Sequence, residues 1–117
     1  MSTLKVNNLQ DINGANNSTP EQVAQGRAKA WVRFNGTGTV SITDSFNISS
    51  ITDNGTGSYG FDFTTNMANA NYIALSNTAR FSSVGSMTTS SFSVIVSNIN
   101  GNSEDRATIH AVIFGDQ

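Results

Sequence analysis

Hydrophobic and polar positions alternate with a period of two along most of the chain beyond residue 27. Because successive side chains of a strand point to opposite faces of a sheet, each alternating segment is expected to form a half-buried strand. The predicted strands are Ala28–Phe34, Thr39–Ile48, Tyr59–Thr64, Asn71–Ala79, Ser90–Ser97 and Ala107–Phe114. Strands spaced about 8–12 residues apart are typical of an all-β sandwich or barrel, and we predict an antiparallel, jelly-roll-like sandwich.

The first two predicted strands carry the clearest information on facing. In the first strand the even-numbered apolar residues point to the core, so the outward row consists of Lys29, Trp31 and Arg33. In the second strand the inward row is Val40, Ile42, Phe46 and Ile48. Asp44 interrupts that row, which indicates a β-bulge or a local hydrogen bond.

Three parts follow one another along the chain. Residues 1–18 are rich in Asn with widely spaced apolar side chains, and we expect an extended N-terminal arm. Residues 19–26 predict a short helix, in which Thr19 and Gln22 form a capping box and Pro20 occupies the first position. Gly26 is expected to end this helix as its C′ residue. Residues 27–117 are the sandwich domain, with Asn-Gly turns at 35–36, 54–55 and 100–101.

Composition excludes several classes of protein. Asn, Ser and Thr account for 44 of the 117 residues, and charged residues for only 12%. A net charge of −2 gives no basic field for a phosphate backbone, so nucleic acid is not an expected partner. No apolar segment approaches the roughly 18 residues that a membrane span needs, and no signal peptide is evident. We therefore expect neither membrane insertion nor secretion.

Few residues are suited to catalytic or metal chemistry. The chain has no cysteine, and its only histidine, His110, lies within a predicted strand, where a packed or interface role is expected. Glu104 and Asp105 adjoin Arg106 in a turn as solvated charges, and Asp53 lacks the further oxygen ligands of a calcium loop. The sequence predicts a protein that is not an enzyme and holds no cofactor or metal. One alternative is a zinc site made by three copies of His110 on a trimer axis.

Several short segments carry a likeness to a known class of protein. They are Thr3–Asn7, Ser18–Gln22, Gly26–Val32, Phe34–Val40, Asp44–Ser50, Thr52–Gly57 and Val112–Gln117. In these segments the chain resembles tail-fibre-type virion proteins of bacteriophages, especially marine ones. The resemblance implies a structural protein of the phage particle, made in the host cytoplasm and located in the virion. It also implies a homotrimer that attaches to other virion proteins or binds the host surface.

Two further functions fit the same polar composition. A capsid decoration protein would sit as trimers on the shell of the particle. A free carbohydrate-binding module would use Asn, Ser and Thr side chains to hydrogen-bond sugars, such as a host surface glycan. The tail-fibre-like structural protein is the leading hypothesis, because it follows from the resemblance.

The distribution of apolar residues independently predicts self-association. The last strand is apolar on both faces, so one face needs cover from a neighbouring subunit in addition to its own sandwich. Trp and Arg are enriched at protein interfaces, and both face outward in the first strand. The expected subunit-interface residues are Trp31, Arg33, His110 and Val112. The alternative for Trp31 is a platform that stacks on a sugar ring.

A host-recognition surface is expected in the connection Arg80–Thr89. This segment places Arg80, Phe81 and Met87 among Ser and Gly residues. Loops on a rigid sheet scaffold are frequent locations of binding sites. The alternative is a flexible connection in which Phe81 is tucked into the edge of the core.

Overall fold

The computed structural model describes residues 1–117 and contains one short helix and eight strands. The helix α1 is Pro20–Gly26. The strands are β1 Ala30–Asn35, β2 Ser41–Phe46, β3 Ile48–Asp53, β4 Ser58–Phe63, β5 Ile73–Asn77, β6 Phe81–Gly85, β7 Ser91–Ser97 and β8 Ile109–Phe114. The first sheet has the order β2-β1-β8-β5 and the second β3-β4-β7-β6, all antiparallel. The antiparallel sandwich predicted from the sequence is confirmed.

The core lies between the inward rows of the two sheets and is dominated by aromatic rings. Phe34 of the first sheet meets Tyr59 and Phe61 of the second edge-on, with ring centroids 5.0 and 4.9 Å apart. Phe61 in turn stacks on Phe92 at 5.2 Å. Such pairs add about 0.5–1.5 kcal/mol to the stabilisation from burial. This interlocked core fixes which side chains of each strand remain on the outer faces.

A β-bulge in β2 reverses the facing of its second half. The register between β1 and β2 shifts after Arg33, which leaves Thr43 as an extra residue in β2. Phe46 consequently pairs with Trp31 on the outer face and is 49% exposed. The bulge that Asp44 indicated is confirmed. The inward orientation predicted for Phe46 is wrong, because one extra residue moves every later side chain to the other face.

The segment 39–48, predicted as one strand, is divided between the two sheets. Asn47 adopts a φ of 59°, and there the chain leaves β2 of the first sheet and enters β3 of the second. The Asn47 amide nitrogen donates to the carbonyl oxygens of Lys29 and Thr65, and its Oδ1 accepts from the Thr65 N–H at 2.7 Å. Asn tolerates the left-handed region better than other non-glycine residues, so this corner suits it.

Helix α1 begins as the sequence predicts and ends differently. Thr19 and Gln22 form the reciprocal hydrogen bonds of the capping box. Gly26 is the last helical residue rather than the C′ residue, and the extended Arg27 is the C-cap. Lys29, expected to face outward, is only 5% exposed, because its ammonium group donates to two carbonyl groups at this end of the helix. A cation at this position also stabilises the helix dipole.

The arm, residues 1–18, lies before α1 and is almost entirely exposed. A backbone bridge between Leu9 and Ser18 closes a loop within it. Hydrogen bonds from the backbone N–H groups of Ala15 and Asn13 hold the pKa of the Asp11 carboxyl below its usual value. No helix of the structure is long and apolar enough to span a membrane.

The segment Arg80–Thr89 is not the long connection that the sequence predicted. Residues Phe81–Gly85 form β6, which pairs with β7 at the edge of the second sheet. Only Phe81 and Val84 are large apolar residues in this strand, and their spacing of three hides the period of two. The two serines between them and Gly85 after them are accommodated at an edge, where one side of the backbone remains unpaired.

Candidate subunit interface

Four aligned apolar side chains cross the whole outer face of the first sheet. The register pairs Phe46 with Trp31, Trp31 with Val112, and Val112 with Leu75. A further pair, Ile73 and Phe114, lies next to this row on the two strands at one edge. Directly opposite residues of paired strands lie on the same face, about 4.5–5.5 Å apart. Together these six side chains form a continuous surface, which we name the outer apolar face.

Four of the six side chains of the outer apolar face are exposed to solvent, and Val112 and Phe114 are half-buried. Leu75 is 58% exposed, Ile73 61% and Trp31 38%. A shallow groove of about 270 Å³ runs along the face between Trp31 and Leu75, floored by Val112 and bordered by His110. Contiguous exposed apolar surface rimmed by polar residues marks interaction sites in monomeric proteins. The outer apolar face is thus the candidate interface of the sandwich.

The outer face of the second sheet has the opposite character. Its aligned rows consist mainly of Ser, Thr, Gly and Asp, including Thr52, Gly60, Ser93 and Gly85 in one row. Ile95 and Phe81 are its only exposed large apolar side chains. Both sheets belong to the same small domain, so the difference between them is not a consequence of the general composition. The first sheet is therefore the candidate side for an interface.

A polar row adjoins the apolar one. Asp44 pairs with Arg33, Arg33 with His110, and His110 with Asn77 across the four strands of the first sheet. All four side chains are exposed. The row places a guanidinium group and an imidazole next to each other at the border of the outer apolar face.

The structure brings the four predicted interface residues together. Trp31 and Arg33 of β1 pair directly with Val112 and His110 of β8. The prediction missed the flanking residues Phe46, Ile73 and Leu75. In the alternation within 71–79, Ile73 and Leu75 point to the face away from the buried Tyr72. That pattern could have revealed them as outward residues.

The three predicted receptor-binding residues do not form one patch. Phe81 is 61% exposed at the start of β6, so it is not tucked into the core edge. Met87 lies beyond the other end of that strand and packs against the core. Arg80 is engaged with Glu104, its Nε lying 3.5 Å from Oε2. The same carboxylate oxygen lies 3.9 Å from Nη1 of Arg106.

A second polar feature lies at one end of the sandwich. A cleft of about 510 Å³ is lined by Thr37, Thr78, Asp105, Arg106 and Thr108 together with two alanines. The Asp105 carboxylate accepts from the Gly57 N–H at 2.8 Å and from the Tyr59 hydroxyl at 2.7 Å. These bonds lower the pKa of Asp105. The pKa of Tyr59 is raised, chiefly by burial of its hydroxyl and next by the hydrogen bond to Asp105. Within one copy, no three His, Asp or Glu side chains cluster as metal ligands.

No family model matches the chain, and no curated protein and no solved structure shows significant similarity to it.

Proposed function

We propose that the chain is a non-enzymatic structural protein of a bacteriophage particle. In this proposal it assembles as a homotrimer through the outer apolar face and attaches to other virion proteins, the host surface, or both. The outer apolar face supports the assembly part, and it is the observation on which that part depends. The resemblance of segments such as Gly26–Val32 and Phe34–Val40 to tail-fibre-type virion proteins supports the phage part and the trimer.

The energetics of the outer apolar face favour burial. Fully burying a Leu, Ile or Phe side chain is worth about 1.5–3 kcal/mol, and three such residues are more than two-fifths exposed in the single copy. Trp31 and Arg33 are residue types that dominate binding energy at interfaces. Every copy of the chain carries the same exposed apolar face. A closed symmetric assembly covers that face in all of its subunits.

Truncation of the outer apolar face tests the assembly. Trp31→Ala is expected to weaken association by about 2 kcal/mol or more, measured by sedimentation over a dilution series. The matched control is Ile95→Ala on the outer face of the second sheet, because Ile95 and Trp31 are both 38% exposed. The Trp31 emission of the unaltered protein should shift to longer wavelength as dilution exposes the indole. A stable monomer at micromolar concentration would contradict the proposed assembly.

Location within the particle separates the tail from the shell. Electron microscopy of virions labelled with antibodies against this chain is expected to show label at the tail. Label distributed over the shell would instead favour a capsid decoration protein. Absence of the chain from purified virions would contradict both roles.

Sugar binding is a second candidate function, favoured by the polar cleft at the end of the sandwich. Its threonine hydroxyls, the Asp105 carboxylate and the Arg106 guanidinium are the hydrogen-bonding groups that a saccharide uses. A glycan array with the unaltered protein and with Arg106→Gln tests this role. Binding that Arg106→Gln abolishes would support the cleft, whereas loss only in Trp31→Ala would place the sugar on the outer apolar face.

A further inference from the structure

The N-terminal arm carries apolar side chains that have no core of their own. Leu4 is 83% exposed, Leu9 59% and Val6 41%. With Pro20 and Val23 of α1 they surround an open hollow of about 570 Å³. Every residue from 1 to 17 is exposed, and every hydrogen bond of residues 1–18 stays within that segment. The arm is therefore anchored to the sandwich only through α1.

The arm also extends away from its own sandwich. The molecule measures 52 × 28 × 24 Å, whereas strands of five to seven residues span only about 17–24 Å. The longest dimension thus includes the arm. Residues 1–8 precede the loop that the Leu9–Ser18 bridge closes. They form a free segment that can span about 27 Å when extended.

The outer apolar face is too small to form a stable interface by itself. Four strands at a spacing of about 4.8 Å and six residues long give a flat area of about 20 × 20 Å, or roughly 400 Å². A stable specific interface buries about 800 Å² on each partner. An additional surface must contribute, and the arm carries most of the exposed large apolar side chains that lie outside the outer apolar face, namely Met1, Leu4, Val6, Leu9 and Ile12.

The shapes of the arm and the groove agree. Leu4 and Val6 are two residues apart, so in an extended chain they point to the same side, about 7 Å from each other. The groove has Trp31 on β1 at one side, Val112 on β8 as its floor and Leu75 on the edge strand β5 at the other side. An extended segment of about 27 Å is long enough to cross all four strands.

We propose that the outer apolar face of one copy binds the N-terminal arm of a neighbouring copy, with Leu4 and Val6 in the groove beside Trp31 and Leu75. This inference rests on the proposed self-assembly and names the segment that completes the interface. The arm then links two subunits. Each subunit binds a neighbour through its own arm and binds the arm of another neighbour on its outer apolar face.

Cross-linking tests the contact directly, because the chain contains no cysteine. Size-tagged Val6→Cys is mixed with untagged Leu75→Cys, allowed to exchange, and treated with a short bis-maleimide. We expect a cross-linked heterodimer of the two chains. The matched control pairs Val6→Cys with Ile95→Cys on the second sheet. Equal yields in both mixtures would overturn the proposal, as would a Val6→Cys/Leu75→Cys double variant that cross-links only within single chains at concentrations where the protein is assembled.

Point variants of the arm give a second measurement in the full chain. Leu4→Ser with Val6→Ser is expected to weaken association at least about tenfold, while the thermal midpoint measured at a concentration where the chain is monomeric stays unchanged. Ile12→Ser is the control, since Ile12 is 99% exposed but lies within the closed loop rather than the free segment. Undiminished assembly of the double variant would overturn the arm contact alone. An unaltered protein that remains monomeric would overturn the proposed assembly and this inference with it.

Discussion

At the scale of single residues, Tyr59 links the aromatic core to the polar end of the sandwich. Its ring is buried against Phe34, while its hydroxyl donates to Asp105 at 2.7 Å and lies 3.1 Å from the Gly36 carbonyl oxygen. A Cβ on Gly36 would collide with that ring and hydroxyl, so glycine is required there by close approach. One hydroxyl thus joins β4 to the turn after β1 and to the segment before β8.

Removal of this hydroxyl is expected to lower stability without disturbing the core. Tyr59→Phe keeps the ring and loses a hydrogen bond to a charged partner, which is worth about 1–3 kcal/mol in the free energy of unfolding. Urea titration with an unchanged m-value would confirm it. Tyr72→Phe is a useful comparison, because the Tyr72 hydroxyl bonds only to backbone carbonyl groups. A loss at Tyr59 no larger than the loss at Tyr72 would contradict a special role for Asp105.

The Asp105 carboxylate makes stability depend on acid pH. Its pKa in the folded chain is lowered by the bonds from Gly57 and Tyr59, below the value of 3.8 expected for an unperturbed Asp. The stabilisation is therefore fully present above about pH 4 and is lost as pH falls through the lower folded pKa. Asp105→Asn should flatten the pH dependence of the thermal midpoint between about pH 4 and 2. Asp62→Asn, on the outer face of the second sheet, serves as the control, and an unchanged slope in Asp105→Asn would refute the assignment.

At the scale of elements, the transfer of the chain from one sheet to the other depends on one residue. Asn47 combines a left-handed backbone with three side-chain hydrogen bonds to Lys29 and Thr65. Those bonds hold the end of β2 beside the entry to β1 and the segment after β4. The corner thereby aligns β2 correctly, including the outward Phe46.

Two substitutions at Asn47 separate the backbone from the side chain. Asn47→Gly loses the side-chain hydrogen bonds but adopts the positive φ without strain. Asn47→Ala loses the same hydrogen bonds and is also strained at a positive φ. We expect Asn47→Ala to be the less stable of the two by about 1 kcal/mol, with both below the unaltered protein. Thermal unfolding monitored by circular dichroism measures the difference. Equal midpoints for all three proteins would show that the corner does not need Asn.

The sequence predicts those strands in which polar and apolar residues alternate and the apolar ones are buried in the core. β7 and β8 fall within the predicted segments, β1 and β4 each extend one residue beyond theirs, and the shared outward facing of Trp31 and Val112 follows from the same alternation. The break at Asn47 was not predictable from periodicity, because polar and apolar residues keep alternating through it. Phe46 was misplaced because a bulge changes facing without changing composition, although Asp44 indicated that a bulge was present.

At the scale of the whole molecule, two chemically different outer faces lie back to back on one core. The second sheet presents rows of hydroxyl and glycine positions with little apolar surface, which suits contact with water. The first sheet presents the outer apolar face with Arg33 and His110 at its border. An assembly that covers only the first sheet would leave the polar second sheet as its exterior. The difference between the two outer faces would therefore set which side of the domain faces inward in such an assembly.

His110 decides between two kinds of assembly. It pairs with Arg33 and Asn77 in the polar row, and in the proposed assembly an interface contact would account for its position without metal. We expect His110→Gln to keep the sedimentation behaviour of the unaltered protein and to lower its thermal midpoint slightly, because glutamine retains the hydrogen-bonding capacity. Addition of EDTA should leave the proposed oligomer intact. Asn77→Ala, at the neighbouring position of the polar row, is the control for an effect on association that any change in this row would cause. Dissociation by EDTA together with dissociation of His110→Gln would instead establish zinc held by histidines of several copies on a common axis.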